Sequence, residues 1–224
     1  LRSSISISIR TYRPITFRLL YLAARRLHRD KIPLIMITIS IVGPESTGKS
    51  VLAEALANHY RGAWIPEYAR EYVTLHTSEP SYADVCQILE RDRSDLLDPA
   101  SSRGLLLPEA SMGVEEPTIV FFDAGLIIDK VWLDVVFNRR PSWLTDASGA
   151  IAEALRTDYY LLLAPDIAWV DDPARSNGSD EVRSHLYELY HHEILQMGRP
   201  CGVVSGVGST RITNAIRLVD AFLK

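Results

Sequence analysis

Cysteine is scarce: Cys86 and Cys201 are the only two in 224 residues, and no CxxC pair occurs. Two distant thiols supply neither a disulfide framework nor a cysteine zinc site, and they read as reduced residues of a cytoplasmic protein. Long apolar runs are missing too. The best of them, Pro33 to Val42, has the length of a strand, whereas a membrane-spanning helix needs about 18–20 residues. There is no excess of positive charge, and a formal net charge of -4 gives no reason to expect nucleic acid as the main partner. His59, His76, His185, His191 and His192 show no ligand spacing. No segment repeats, and the glycine fingerprint of dinucleotide-binding folds is absent.

What is present is enough for one α/β domain, since 47% of the residues are hydrophobic. The charge is unevenly spread. Residues 1–35 hold eight basic side chains and one acid, leaving 16 basic and 27 acidic residues to the remainder. We therefore expect a basic N-terminal extension over 1–35 and a folded domain over 36–224. Within the extension, Phe17, Leu20, Tyr21, Ala24 and Leu27 fall at helical spacing among arginines. A targeting peptide, a basic amphipathic anchor, and an upstream stretch preceding a start at Met36 all fit this composition. Mass spectrometry of the native N-terminus separates them, because a start at Met36 eliminates the first two.

From residue 34 onward, strand and helix patterns alternate. Leu34 to Val42 is β-branched and almost continuously apolar, as a central parallel strand buried on both faces should be. Further strands are expected at Ala63 to Pro66, Thr118 to Phe122, Tyr159 to Ala164 and Cys201 to Val204. Helical spacing predicts Lys49 to Tyr60, Tyr68 to Leu75, Tyr82 to Leu97, Leu126 to Phe137, Asp146 to Leu155, Ser179 to Met197 and a final helix through Phe222. In the helix from Leu126, the spacing puts Ile128, Trp132 and Val136 on one face. Residues 98–117 lack a period and read as an exposed loop or insertion. The alternation predicts a three-layer sandwich, a parallel sheet of about five strands with helices on both faces.

Gly43-Pro-Glu-Ser-Thr-Gly-Lys-Ser50 matches G-x-x-x-x-G-K-[ST] in full. Such a loop wraps backbone N–H groups around a phosphate, and glycine permits the dihedrals and the close approach. Lys49 carries a flexible charge toward the β- and γ-phosphates. Ser50 offers a hydroxyl to Mg²⁺ and opens a helix whose first N–H groups favour an anion. A chance match in a chain of this length arises about 1% of the time, and the flanking strand and helix make it rarer. Gly43, Glu45, Ser46, Thr47, Gly48, Lys49, Ser50 and Val51 are the predicted ATP site.

Asp123, at the end of the third strand, is placed to organise Mg²⁺ and its waters; a lone Asp there also serves as an ordinary helix cap. Glu67, Tyr68 and Arg70 follow the second strand, where they would face an acceptor near the strand carboxyl ends. Arg175 and Arg183 lie in a polar stretch beginning at Trp169. Arginines on a mobile lid can stabilise charge as it transfers, though ion-paired arginines on a solvated turn have the same spacing.

Several of these segments, taken together, resemble the ribosylnicotinamide kinase domain of NadR-type proteins and its stand-alone P-loop relatives. The matching residues are Gly43 to Ser50, Glu67-Tyr-Ala-Arg-Glu71, Phe121-Phe-Asp123, Pro165-Asp-Ile-Ala-Trp-Val-Asp-Asp172 with Arg175, and Ser205-Gly206 with Arg211. They span nearly everything from Met36 to Lys224. The resemblance implies an ATP- and Mg²⁺-dependent kinase acting on the 5′-hydroxyl of nicotinamide riboside in NAD salvage. It implies Lys49, Asp123 and Arg175 as catalytic residues, Ser50 and Asp123 at the metal, and Ser205 and Gly206 near the adenine. Glu67, Tyr68 and Arg70 would line the nucleoside site. One departure stands out. The family pattern Asp-Thr-Asp is here Asp123-Ala-Gly125, so the second acid is missing, and Asp129 is a candidate substitute. A nucleotide-dependent regulatory module without small-molecule kinase activity is the alternative, which the missing acid favours.

Overall fold

The computed structural model describes residues 36–76, 80–99, 102–111, 118–145, 157–169 and 179–224. The expected helix over 146–155, the stretch 170–178 with Arg175, and the basic residues 1–35 lie outside these. Five strands form one parallel sheet in the order β2-β3-β1-β4-β5: β1 Ile37–Val42, β2 Ala63–Ile65, β3 Ile119–Asp123, β4 Tyr159–Leu163 and β5 Cys201–Val204. The chain leaves the central strand toward one edge, returns, and then builds the other half. That reversal at β1 opens a crevice at the carboxyl ends of β1 and β3.

Alternation along the strands builds two cores. Ile39, Ile41, Phe121, Leu161 and Leu163 point to one face and pack against α1 (Lys49–Tyr60) and α6 (Ser209–Leu223) through Leu52, Leu56, Ala215 and Val219. Val42, Val120, Phe122, Tyr160 and Leu162 point to the other. There they meet α3 (Tyr82–Leu97), α4 (Leu126–Trp132) and α5 (Asp180–Gln196) through Val85, Leu89, Ile127, Val131, Leu186 and Ile194. The short α2 (Tyr68–Leu75) buries only Tyr72. Both faces of the sheet are covered, and the expected three-layer sandwich is the observed one.

Two details differ from the sequence reading. The helix after β3 does not continue as one α-helix, because Leu133–Phe137 takes π geometry. Its inward face carries Leu126, Ile127, Asp129, Lys130, Val131 and Leu133, while Ile128 and Trp132 are half-buried and Val136 is exposed. Polar contacts decide this rotation. Lys130 is buried against Glu193 of α5, which turns α4 away from the stripe that apolar spacing alone suggests.

The second difference lies in the segment after α3, which is largely exposed as expected but is also tied to the sheet edge. Its Leu106 forms an antiparallel bridge with Trp64, by backbone bonds of 3.0 and 2.9 Å, and Ser111 is fully buried with its hydroxyl donating to Gly62 O at 2.7 Å. β2 is an edge strand, and an uncovered edge presents unpaired N–H and C=O groups. The segment covers that edge. Ser111→Ala leaves the Gly62 carbonyl without this donor and is expected to cost about 1–2 kcal/mol, read as a lower urea midpoint at unchanged slope.

Candidate functional site

The loop between β1 and α1 is shaped by two glycines and by hydrogen bonds of its own side chains. Gly43 has φ 154°, and a Cβ there would lie 3.0 Å from both Cβ and O of Leu163. Gly48 caps α1 at φ 81° and ψ 27°. Thr47 Oγ1 donates to Pro44 O at 2.8 Å and tightens the turn. Lys49 is buried, its Nζ donating to Gly43 O and Pro44 O at 3.0 and 3.1 Å. The ammonium is thus held on the loop's own carbonyls, at the mouth of the cradle.

A full capping box between Ser81 and Asp84 closes α3, and Ser179 caps α5. α1 is among the helices that begin without a side-chain cap, as α2, α4 and α6 also do. Its first N–H groups are left pointing into the loop, which is the arrangement an anion satisfies.

The strand register delivers Asp123 to this point. Asp123 sits beside Ile41 in the β1–β3 pairing, two residues before Gly43. Its carboxylate is buried, accepts from the Ser50 hydroxyl and the Glu67 backbone N–H, and lies near the Lys49 charge. Burial pushes this carboxyl above its usual range, while the Ser50 bond and Lys49 pull the other way. One oxygen, Oδ1, has no hydrogen-bond partner among the described residues. A serine hydroxyl beside a buried carboxylate with a spare oxygen is a donor set suited to Mg²⁺ and its waters.

Glu67 is the N-terminal flank of α2, half-buried near Asp123. Tyr68, also half-buried, lies 5.3 Å beneath the Arg91 guanidinium. Arg70 is exposed on the outer side of α2. The structure therefore brings Glu67 to the phosphate cradle and turns Arg70 outward. Ser205 and Gly206 follow β5, at the carboxyl end of the opposite edge strand. Gly206 N donates to Asp166 Oδ2 at 2.6 Å, Asn214 holds Ser205 O at 2.9 Å, and Arg211 donates to Gly206 O at 2.7 Å while pairing with Asp166.

Arg183 is not a lid residue. It is wholly buried on α5, donating to Glu45 O at 3.2 Å, Ile167 O at 2.7 Å and Asp180 Oδ1 at 3.2 Å. The guanidinium's fixed fork of donors matches acceptors on three segments at once.

On the acceptor side lies a group of acids that the spacing only hinted at. Asp92 of α3 is hydrogen-bonded to Asp129 of α4, with Glu67 and Asp95 nearby. Burial drives both upward, Asp92 to about 7 and Asp129 well above the carboxylate range. The signal for Asp92 was its position on the stripe Val85, Leu89, Asp92, Leu96, where a core-facing residue is expected. A carboxyl whose folded pKa is raised contributes stability that is complete below its unfolded value, near 4, and lost as pH rises through the folded value. Asp129→Asn removes that loss. Thermal melts are expected to show the variant gaining on the parent chain at pH 8 and not at pH 4.

Among the described residues no three His, Cys, Asp or Glu side chains converge as a metal cluster, and no helix is long and apolar enough to cross a membrane.

A parallel sheet ordered around β1, an uncapped helix behind a glycine-bounded loop, and a neighbouring strand ending in a buried acid define a P-loop nucleotide-binding domain of kinase-like type. Residues 38–211 match the AAA_28 family, described as AAA domain, and the chain belongs to that family. It is 27% identical over 157 residues, 70% of its own length and 35% of the relative's, to the trifunctional NAD biosynthesis/regulator protein NadR of Escherichia coli. The NadR of Salmonella typhimurium matches to the same extent. The chain thus spans about a third of these curated relatives. Among solved structures, NadR in complex with NR aligns with a TM-score of 0.63 at 22% identity, covering 84% of this chain and 52% of that one. NadR in complex with NAD and AMP-PNP aligns with a TM-score of 0.62 at 20% identity, covering 84% and 49%.

Proposed function

We propose that this protein is an ATP-dependent kinase that transfers the γ-phosphoryl group to the 5′-hydroxyl of a nucleoside, nicotinamide riboside foremost. The observation that carries the reading is the junction of two half-sites: the uncapped α1 behind Gly43–Ser50, and the buried Asp123 that meets Ser50 on one side and Glu67 on the other. The likeness to NadR supports the choice of acceptor.

Backbone N–H groups from Glu45 to Val51 would cradle the β- and γ-phosphates, with Lys49 released from its carbonyls to follow them. Ser50 and Asp123 would hold Mg²⁺, which when bound neutralises charge on the phosphate oxygens. Glu67 and Tyr68 would flank the nucleoside. Ser205 and Gly206, fixed by Asp166 and Arg211, would meet the adenine by backbone contacts. Phosphoryl transfer has a loose transition state, so the work asked of these groups is positioning and charge stabilisation.

The test is ADP release by the full chain with Mg-ATP against a panel of nucleosides. Acceptor-dependent release with nicotinamide riboside is expected, and tight ATP binding with no acceptor dependence across the panel overturns the reading. Arg175→Ala is expected to lower kcat by about a hundredfold and ATP affinity little, since a lid arginine acts on charge in the transition state. A change in KM alone would argue against that role.

A further inference from the structure

Asp123, Asp92, Asp95 and Gly125 line one small cavity, with Ser40 and Phe122 as part of its floor. Its volume is ≈ 10 Å³, about the room one water or one hydroxyl group takes. It is too small for a sugar or a base, and it borders Asp123, which meets Ser50 of the phosphate loop. Asp123 already accepts from Ser50, and its Oδ1 has no hydrogen-bond partner among the described residues. Gly125 adds no side chain to the wall. A Cβ there would lie 3.3 Å from Cβ and Oγ of Ser40 and 3.5 Å from Val42 Cγ1, so a side chain at that position would press on β1.

We propose that Asp92, reaching the cavity from α3, is the carboxylate that receives the proton of the attacking hydroxyl, with Asp129 behind it as the hydrogen-bond donor that holds it in place. This rests on the kinase reading above and assigns a base to it. In the step, a lone pair of the hydroxyl oxygen forms the new bond to the γ-phosphorus. The bond from that phosphorus to the bridging oxygen breaks, its electron pair leaves with ADP, and the hydroxyl proton passes to an Asp92 oxygen.

The groups facing Asp92 fit such a role. Asp129 of α4 donates to it, Glu67 and Asp95 oppose its charge, and Arg91 favours it. Asp129 is the more deeply buried of the two, and burial beside Asp92 pushes its carboxyl well above the usual range. A base poised near the working pH is the most effective kind, and such groups contribute about 10²–10⁴-fold.

The experiment uses the full chain with Mg-ATP, measuring ADP release with and without nicotinamide riboside, and ATP affinity by calorimetry. Asp92→Asn is expected to lower nucleoside-dependent kcat about a hundredfold and to abolish the acid limb of its pH profile. ATP affinity should stay within about twofold of the parent. The variant should melt cooperatively and gain on the parent chain as pH rises through about 7, because a buried carboxyl with a raised value is removed. Asp92→Ser, a second variant should the first not fold, carries the same expectation. Unchanged kcat and pH profile in either variant overturn the assignment, as does a parallel loss of ATP binding and melting temperature. An unaltered chain that shows no nucleoside-dependent release overturns the kinase reading itself, whereas vigorous turnover indifferent to Asp92 overturns this assignment alone.

Discussion

Lys49→Ala is expected to reduce phosphoryl transfer by about a thousandfold, equivalent to about 4 kcal/mol of transition-state stabilisation. The lysine is the buried cation of the loop, and its Nζ rests on Gly43 O and Pro44 O, one side-chain rotation from where terminal phosphates would lie. Truncation to alanine removes the charge and leaves the loop carbonyls without their donor. Two effects follow together: turnover falls to background and ATP binding weakens. Single-turnover ADP formation at saturating Mg-ATP separates them, since a loss confined to KM would show that Lys49 binds ground state and transition state equally.

Asp123→Asn is expected to have the next largest effect, a fall in kcat of about a hundredfold to a thousandfold with ATP affinity largely intact. The substitution keeps shape and removes charge. Burial already disfavours the ionised carboxylate, and Ser50 and Lys49 hold it against that cost. A neutral amide there would lose its hold on a divalent cation, and raised Mg²⁺ should recover part of the activity. Wild-type rates in this variant would show that the acid is only the terminus of β3. Melting temperature is a useful companion: because the Asp123 carboxyl is raised by burial, the neutral variant is expected to gain on the parent chain as pH rises.

The features legible from sequence were those set by short-range pattern. The bounds of α1, α2, α3 and β5 follow from local periodicity, and β1 follows from a β-branched run ending at a glycine loop. Asp123 could be placed because the apolar run from Thr118 to Phe122 ends at it. What could not be read depended on contacts between distant segments. Leu106 pairs with Trp64 through one bridge, too little to leave a strand pattern in residues 98–111. The rotation of α4 is fixed by Lys130 against Glu193, and no apolar stripe announces an ion pair. Arg183 read as a surface charge, yet it is wholly buried, because three acceptors on separate segments compensate its desolvation. Asp129 was suspected from its place one turn after Gly125, but its partner Asp92 comes from a helix more than thirty residues earlier.

The same Arg183 has a mechanical consequence. A planar group bonded to Glu45 O, Ile167 O and Asp180 acts as a strut, so the phosphate loop and the start of α5 move as one body. Any event that displaces the approach to α5, after β4, transmits its strain to the cradle without touching a phosphate. By linkage, filling the cradle must bias that approach by an equal free energy. Nucleotide occupancy and the position of Ile167 beyond β4 would then be two readings of one equilibrium, with a single buried guanidinium as its hinge pin.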